Sequence, residues 1–527
     1  MQAQDATVMT ANGALQELSF KVLQRPVRVK MVPNEDGLGP STALLYVARG
    51  LQTVASGKGI RLEFVVQNQT KAEFNAEQYG GLGHSVVGVD TEPLHSVIEL
   101  VKDGERVVPL DTAERLLDYP WKAKAYERFD ALTFGPNKAE SALDAVICMG
   151  TPVAHRAACE RGVPVIEVFD HCWPISLERI MEDDKKIHPD DWRTRKIKDV
   201  MVADERFAEK RWEEEWRGRL VRDVLATDII PAITRDDKLL DKKVHHVFMF
   251  PEPLAPGEFL CKWQSLAPGR VSTIGGVLGG WEDKERESVR AEARGQLTDK
   301  LKWKASNVEN ARIILVQGGG TPTWDRFLIQ MVGQCIDWSG RLGDTLFLFP
   351  GRAVELALKS KYSDRATARE RGWEQFEQLE ESVRESGNAR LITGTAGKDF
   401  ADFQKFYLVS DLVFSRPGGI TVQDAIACRT PIVCAAEPGH WQTEKIRQHC
   451  ELYGILRPVK FEAFEAGGIG LVIDQYGRRQ DNSRMVEVMR TIANRQEYKL
   501  AEEILGMVAQ GIAERSKGTG QTSTERG

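Results

Sequence analysis

The chain has no C-x-x-C pair, no apolar run near the roughly 20 residues a bilayer demands, and no excess of positive charge. Its eight cysteines (Cys148, Cys159, Cys172, Cys261, Cys335, Cys428, Cys434, Cys450) are scattered, several of them inside apolar runs. That distribution argues for core thiols in a reducing compartment and against a structural zinc. A net charge of −6 at pH 7 is wrong for a chain whose main partner is a polyanion, so no nucleic acid is expected. Met1 to Leu15 lacks a basic stretch followed by an apolar core, so no secretory signal is read there. A cytoplasmic location without a transmembrane segment is the expectation. No repeat of short period occurs.

What remains is an ordinary globular composition, 42% hydrophobic and 28% charged over 527 residues, enough for two or three domains. Val27 to Val32 reads as a strand, followed by the turn Pro33-Asn34-Glu35-Asp36-Gly37-Leu38-Gly39-Pro40 and a helix capped by Ser41. Arg61 to Gln67 then completes a βαβ unit whose glycine turn lies at the carboxyl edge of a sheet, where open α/β sheets bind ligands. Gly80 to Ser85 reads as a loop that carries His84. Further strands are expected over 145–148, 163–168, 245–250 and 271–274, with Asp170-His171-Cys172-Trp173 at another carboxyl edge. Residues 178–223 are densely charged and read as a solvated helical insertion, its second half one or two exposed helices.

The same plan starts again at Ala311. A strand leads to Gln317-Gly318-Gly319-Gly320-Thr321, and further strands follow at 345–349 and 431–435. Charged helices are expected over 281–310 and 365–386, and Met485 to Ile512 carries apolar residues at helical spacing. The expected organisation is therefore a flexible 1–24, a first α/β domain over 25–280, a second over 281–475, a helical segment 476–513 and a disordered tail 514–527.

The most chemically pointed stretch is Ser415-Arg416-Pro417-Gly418-Gly419-Ile420-Thr421-Val422-Gln423-Asp424-Ala425. Leu408 to Phe414 reads as a buried strand leading into it, and Ile420 to Cys428 has helical spacing. A helix that opens past paired glycines leaves backbone N–H groups at its positive end, a site suited to phosphate. Gly418 and Gly419 let a ligand come close where a Cβ would collide. Asp424, one turn in, is placed to accept from a ribose diol. The same pattern also serves as a plain strand-to-helix turn.

This stretch, with Thr430-Pro431-Ile432-Val433 and the Gly439–Glu444 segment, resembles the donor half of GT-B glycosyltransferases. The likeness is to the group that contains the lipid II-forming N-acetylglucosaminyltransferase and the diacylglycerol glycosyltransferases, whose pattern reads roughly S-R-x-G-x-x-T-x-x-E. It is specific over 311–456 and loose over 27–60, where Gly37-Leu38-Gly39-Pro40-Ser41 resembles the acceptor-domain loop. The resemblance implies two Rossmann-like domains facing across a cleft and transfer of a sugar from a nucleotide sugar, UDP-linked in that family, with inversion and without a metal or other cofactor. Gly418, Gly419 and Thr421 would hold the diphosphate, and Gly319, Gly320 and Thr321 would form a second phosphate loop. Asp424 stands where the family has a ribose-binding Glu, Phe400 where a residue contacts uracil, and Gln442 where a glutamine reaches the sugar.

Arg416 could neutralise the diphosphate or bond strand-end carbonyls, and His440 could touch the donor or cap the next helix. Gly37, Gly39, Asp170 and Trp173 fall on the acceptor side. The family's loop histidine is Pro40 here, which takes no proton, so the general base is sought among Asp36, His171 and His84, with Asp36 favoured. The acceptor is not identified, nor is the oligomeric state. A nucleotide-sugar 2-epimerase and an inactive nucleotide-sugar binder stand as the other readings.

Overall fold

The computed structural model describes residues 25–33, 38–67, 143–169, 245–252, 257–301, 311–317, 403–435, 440–460 and 482–521, with short stretches between them. The first sheet is built from β1 (Val27–Pro33), β2 (Leu62–Gln67) and β3 (Val86–Asp90). A two-residue antiparallel pair, β4 (Lys102–Asp103) and β5 (Arg106–Val107), stands apart from it. β6 (Ala145–Met149), β7 (Val165–Phe169), β8 (His245–Met249) and β9 (Val271–Thr273) complete the sheet. The second sheet holds β10 (Arg312–Gln317), β11 (Thr345–Phe349), β12 (Ala389–Leu391), β13 (Leu412–Ser415), β14 (Ile432–Cys434) and β15 (Leu456–Pro458).

Both sheets are wholly parallel and wound alike, in the orders β3-β2-β1-β6-β7-β8-β9 and β12-β11-β10-β13-β14-β15. Each winds outward from its first strand to one side and then to the other. The direction reverses between β1 and β6 in the first sheet and between β10 and β13 in the second, and ligands bind at the carboxyl ends of such junctions. The central strands are buried along their length, as the uniform burial of β6 and β13 illustrates, so they read as apolar runs rather than alternating ones.

The helices are α1 (Leu38–Gly57), α2 (Pro152–Glu160), α3 (Val221–Val224), α4 (Gly257–Leu266) and α5 (Asp283–Leu301) in the first part of the chain. In the second part they are α6 (Gln404–Val409), α7 (Gly419–Cys428), α8 (Trp441–Leu452), α9 (Ser483–Ile492) and α10 (Glu497–Gln521). No helix among the described residues is long and apolar enough to cross a membrane.

Several sequence expectations need correction. α1 begins at Leu38, ahead of Ser41, because Pro40 fits a first helical turn where its missing N–H is not needed. The run Leu408–Phe414 is not one strand: Leu408 and Val409 end α6, and β13 starts at Leu412. Asp411 makes the break. Its carboxylate accepts from Ile313 N at 2.9 Å and pairs with Arg290 and Arg294 of α5.

Part of the charged 178–223 stretch is also core rather than solvated face. Ile197, Trp216 and Val221 are buried with Val224, Leu225 and Ile229, and an antiparallel bridge joins Lys196 to Leu220. The helical spacing over Met485–Ile512 is realised, as two helices, and α10 runs on to Gln521, past the boundary expected for a disordered tail. β3 and β15 were not foreseen. The expected helix over 365–386 lies outside the described residues.

One apolar cluster runs from β1 and α1 through Ile274, Val277 and Leu278 to Ile420 and Ile432. α10 closes the structure by returning from the second half of the chain to lie along α1. Arg515 near its end reaches Leu143 O at 2.9 Å and the carboxylate of Asp144, and Gly511 lies against Pro164. Gly50 lets the start of α10 approach: a Cβ there would sit 2.5 Å from the Glu497 carbonyl oxygen.

Gly50→Ala is therefore expected to destabilise by about 1–3 kcal/mol in chemical denaturation, because backbone on both sides must shift. Gly57→Ala, where a Cβ would meet nothing within 4 Å, is expected to cost nothing or to add a few tenths of a kcal/mol. A second test concerns His246 on β8, whose Nε2 lies 3.0 Å from Ser272 Oγ. Burial, with Arg270 adding to it, pushes its pKa down from 6.5 to about 4. The unfolded chain thus takes up this proton first, and its contribution to stability is present above pH 6.5 and lost as pH falls toward 4. The denaturation midpoint of His246→Gln is expected to fall less steeply than the wild type across that window.

Candidate functional site at the carboxyl edge of the second sheet

The second sheet reverses its winding between β10 and β13, whose last residues, Gln317 and Ser415, are register partners. Both side chains are buried, 5% and 1% exposed. Gln317 Nε2 donates to Tyr407 Oη at 2.6 Å and to Thr421 Oγ1 at 3.3 Å. Gln317 Oε1 and Ser415 Oγ have no hydrogen-bond partner among the described residues. Two unsatisfied polar atoms side by side at a winding reversal are costly in a finished core and are what a ligand site presents. Burial, with the Asp424 carboxylate second, pushes the Tyr407 phenol well above its ordinary pKa, so it stays a neutral hydroxyl.

From Ser415 the chain passes through half-buried Arg416 and buried Pro417 into α7. Gly418 is its N-cap, with φ −71° and ψ 144°, and among the described residues no side chain caps the helix. The first N–H groups of α7 therefore keep their donor capacity and the positive end of the helix dipole. Gly418 adopts a backbone conformation open to any residue, so its smallness matters for space. A Cβ there would have only Thr421 Oγ1, at 3.5 Å, and atoms at 4.0 Å as neighbours.

Facing this tip is the start of α1 from the first lobe. A Cβ on Gly39 would lie 3.3 Å from Ile420 Cγ1, which puts the two glycine-bearing helix ends against each other. The structure thus brings Gly39 against Ile420, in the first turn of the helix that Gly418 caps and that Gly419 and Thr421 share. A second meeting of the lobes lies at α8. His440 caps this helix through Nδ1, which accepts from Thr443 N at 3.4 Å, so one of the two readings for His440 is observed. Trp441 packs on Phe259 of α4 with ring centroids 5.6 Å apart, and Gln442 follows in the first turn. Around them Lys445 pairs with Glu258 at 3.5 Å and Tyr453 donates to Glu252 at 2.7 Å.

Asp424 is one turn inside α7 as expected, yet it is 2% exposed. Its Oδ1 accepts from Gln404 Nε2 at 2.8 Å and from Gln423 Nε2 at 2.7 Å. Asp36, Gly37, His84, Asp170, His171, Trp173, Gly319, Gly320, Thr321 and Phe400 lie outside the described residues.

Sequence reasoning missed Gln317, Gln404, Gln423 and Tyr407. It also missed Glu167 in the first sheet, a fully buried carboxylate that accepts from Cys148 Sγ at 2.9 Å and from Gly150 N. A Glu within the otherwise apolar Val165–Phe169 strand was the available signal.

No protein-family model and no curated protein sequence matches the chain. Solved structures do, and they are glycosyltransferases of the GT-B fold. Glycyrrhiza uralensis UGT73P12, complexed with glycyrrhetinic acid 3-O-monoglucuronide, is 11% identical with a TM-score of 0.51, and the match covers 95% of this chain and 99% of that one. A UDP-glucosyltransferase from Polygonum tinctorium is 13% identical with a TM-score of 0.49, covering 92% and 99%. Acinetobacter baumannii MurG is 12% identical with a TM-score of 0.41, covering 92% and 100%. The chain has the GT-B architecture, two parallel α/β lobes with the candidate site at the carboxyl edge of the second.

The contact between α4 and α8 separates two kinds of interaction. Phe259→Ala removes a fully buried ring and is expected to cost about 3–5 kcal/mol in chemical denaturation. Lys445→Ala breaks a partly solvated ion pair and is expected to cost under about 1 kcal/mol. Equal losses would mean that charge holds the lobes there as firmly as packing does.

Proposed function

We propose that the protein transfers a sugar from a nucleotide sugar, UDP-linked in the first instance, to an acceptor held by the first lobe. The observation that carries this reading is the uncapped tip of α7 beside the unpartnered Ser415 Oγ and Gln317 Oε1, opposite Gly39 of the other lobe. The N–H groups of that tip and the Ser415 hydroxyl are donors fixed before a ligand arrives and suit a diphosphate that gains charge as the glycosidic bond breaks, while Gln317 Oε1, an acceptor, suits a ligand hydroxyl. Gly418, Gly419 and Thr421 would receive that diphosphate, Arg416 would add charge, and Gln442 would meet the sugar from the start of α8.

Transfer with inversion needs a base to take the acceptor's proton as its oxygen attacks the anomeric carbon and the nucleoside diphosphate leaves. Pro40 cannot do this; Asp36 is the proposed base, with His171 and then His84 behind it. The GT-B architecture supports the reading at the level of fold.

Calorimetry with UDP and UDP-sugars is the direct test, with release of free UDP followed alongside it. The wild type is expected to bind and to liberate UDP slowly without an added acceptor. Gly418→Val should weaken UDP binding at least about tenfold while leaving the ligand-free melting temperature nearly unchanged, because the backbone and the local space accept a Cβ. Isomerised sugar would instead mark an epimerase, and binding without turnover a binder. No uptake of any nucleotide would end the reading.

A further inference from the structure

The chain crosses from the first lobe to the second through Ile274–Gly280, and it returns through residues 493–496. These two crossings lie side by side: Val277 N donates to Asn494 O at 2.9 Å, and Gln496 N donates to Val277 O at 2.9 Å. Beyond Val277 the outgoing strand runs out of backbone partners, and side chains supply the acceptors. Leu278 N donates to Gln423 Oε1 at 2.5 Å, Gly279 N to Glu497 Oε2 at 3.2 Å and Gly280 N to Gln404 Oε1 at 2.7 Å. Leu278 O accepts from Gln404 Nε2 at 3.0 Å. Gly279 and Gly280 have φ of 77° and 83°, and a Cβ on Gly280 would press on the Ala427 carbonyl of α7.

Asp424 is the acceptor that both glutamines share, and for Gln404 the Leu278 carbonyl is a second one. An amide can present either its oxygen or its NH2, but a carboxylate only accepts. Asp424 Oδ1 takes an N–H from Gln404 and another from Gln423, which favours the orientation that leaves each amide oxygen on the linker; Gln404 Nε2 also donates to Leu278 O. All three side chains are at most 2% exposed, and a misoriented amide there would leave a buried N–H without an acceptor.

We propose that Asp424 is a positioning residue that acts through Gln404 and Gln423 to lock the inter-lobe linker onto α7, rather than a reader of the donor's ribose. The joint between the lobes and the helix whose first turn meets α1 then move as one body. Its bearing on the donor rests on the nucleotide-sugar reading; the lock itself does not.

The test is hydrogen exchange resolved to single amides on the full chain, with UDP and 2′-deoxy-UDP affinities measured on the same variants. In Asp424→Ala the Leu278 and Gly280 amides are expected to exchange about tenfold faster or more, while Asp424→Asn, which still offers one oxygen to both glutamines, stays near the wild type. The preference for UDP over 2′-deoxy-UDP should be the same in all three. If that preference collapses in Asp424→Ala while both linker amides stay protected, Asp424 reads the ribose and the proposal is wrong. Should Asp424→Ala fail to fold, Gln404→Met is expected to release the Gly280 amide; unaltered protection there overturns the lock. A wild type that takes up neither nucleotide, with the linker amides still loosened by Asp424→Ala, sinks the nucleotide-sugar reading and leaves the lock standing.

Discussion

A polypeptide that crosses a buried joint carries polar backbone where neither water nor a sheet can satisfy it. Buried Leu278 faces this problem in full and half-buried Gly279 and Gly280 in part, and Gln423, Glu497 and Gln404 accept from the three N–H groups in turn. These acceptors come from α7, the start of α10 and α6, so one short segment ties three elements together. The joint is therefore specified by direction as well as by apolar contact. Hydrophobic burial around Val277 and Leu278 holds the lobes close, and the hydrogen bonds add a directional constraint that non-directional burial does not supply.

From this joint the arrangement of the candidate site follows. Two sheets of the same winding present their carboxyl edges, and the second places the end of β10 next to the end of β13. α7 leaves that edge with its positive end uncapped, and the beginning of α1 stands against it. A site built this way costs stability. Among the described residues Ser415 Oγ and Gln317 Oε1 stay without partners, and the first turn of α7 has no side-chain cap. The compensation lies in the packed strip from Ile420 to Cys428, every residue of which is buried.

Much of this was legible in the sequence because parallel strands buried on both faces write themselves as short apolar runs. Val27–Pro33, Ala145–Met149 and Arg312–Gln317 stand within a residue or two of where their composition puts them. The strand-to-helix turn at Gly418 was legible because glycine, threonine and the apolar spacing after it point one way. Leu408 and Val409 were misread because an apolar pair at a helix end looks like the start of a strand, and only the distant arginines of α5 reveal the break at Asp411. Trp216 was misread because its neighbours in sequence are charged while its neighbours in space are not. The glutamines on the linker were invisible for a similar reason: an amide in a helix advertises nothing until the backbone opposite it is known. β3 and β15 lie at sheet edges or ends, where composition speaks least.

The returning helix α10 also bears on how the molecule comes into being on a ribosome. Residues that finish the surface of the first lobe, Gly511 against Pro164 and Arg515 over Asp144, are synthesised after the whole second lobe. An emerging chain thus carries a first lobe with one flank of α1 bare throughout translation of everything that follows. Its maturation is a late, long-range closure rather than a lobe-by-lobe sequence, and that bare flank is the surface a chaperone would have most time to meet.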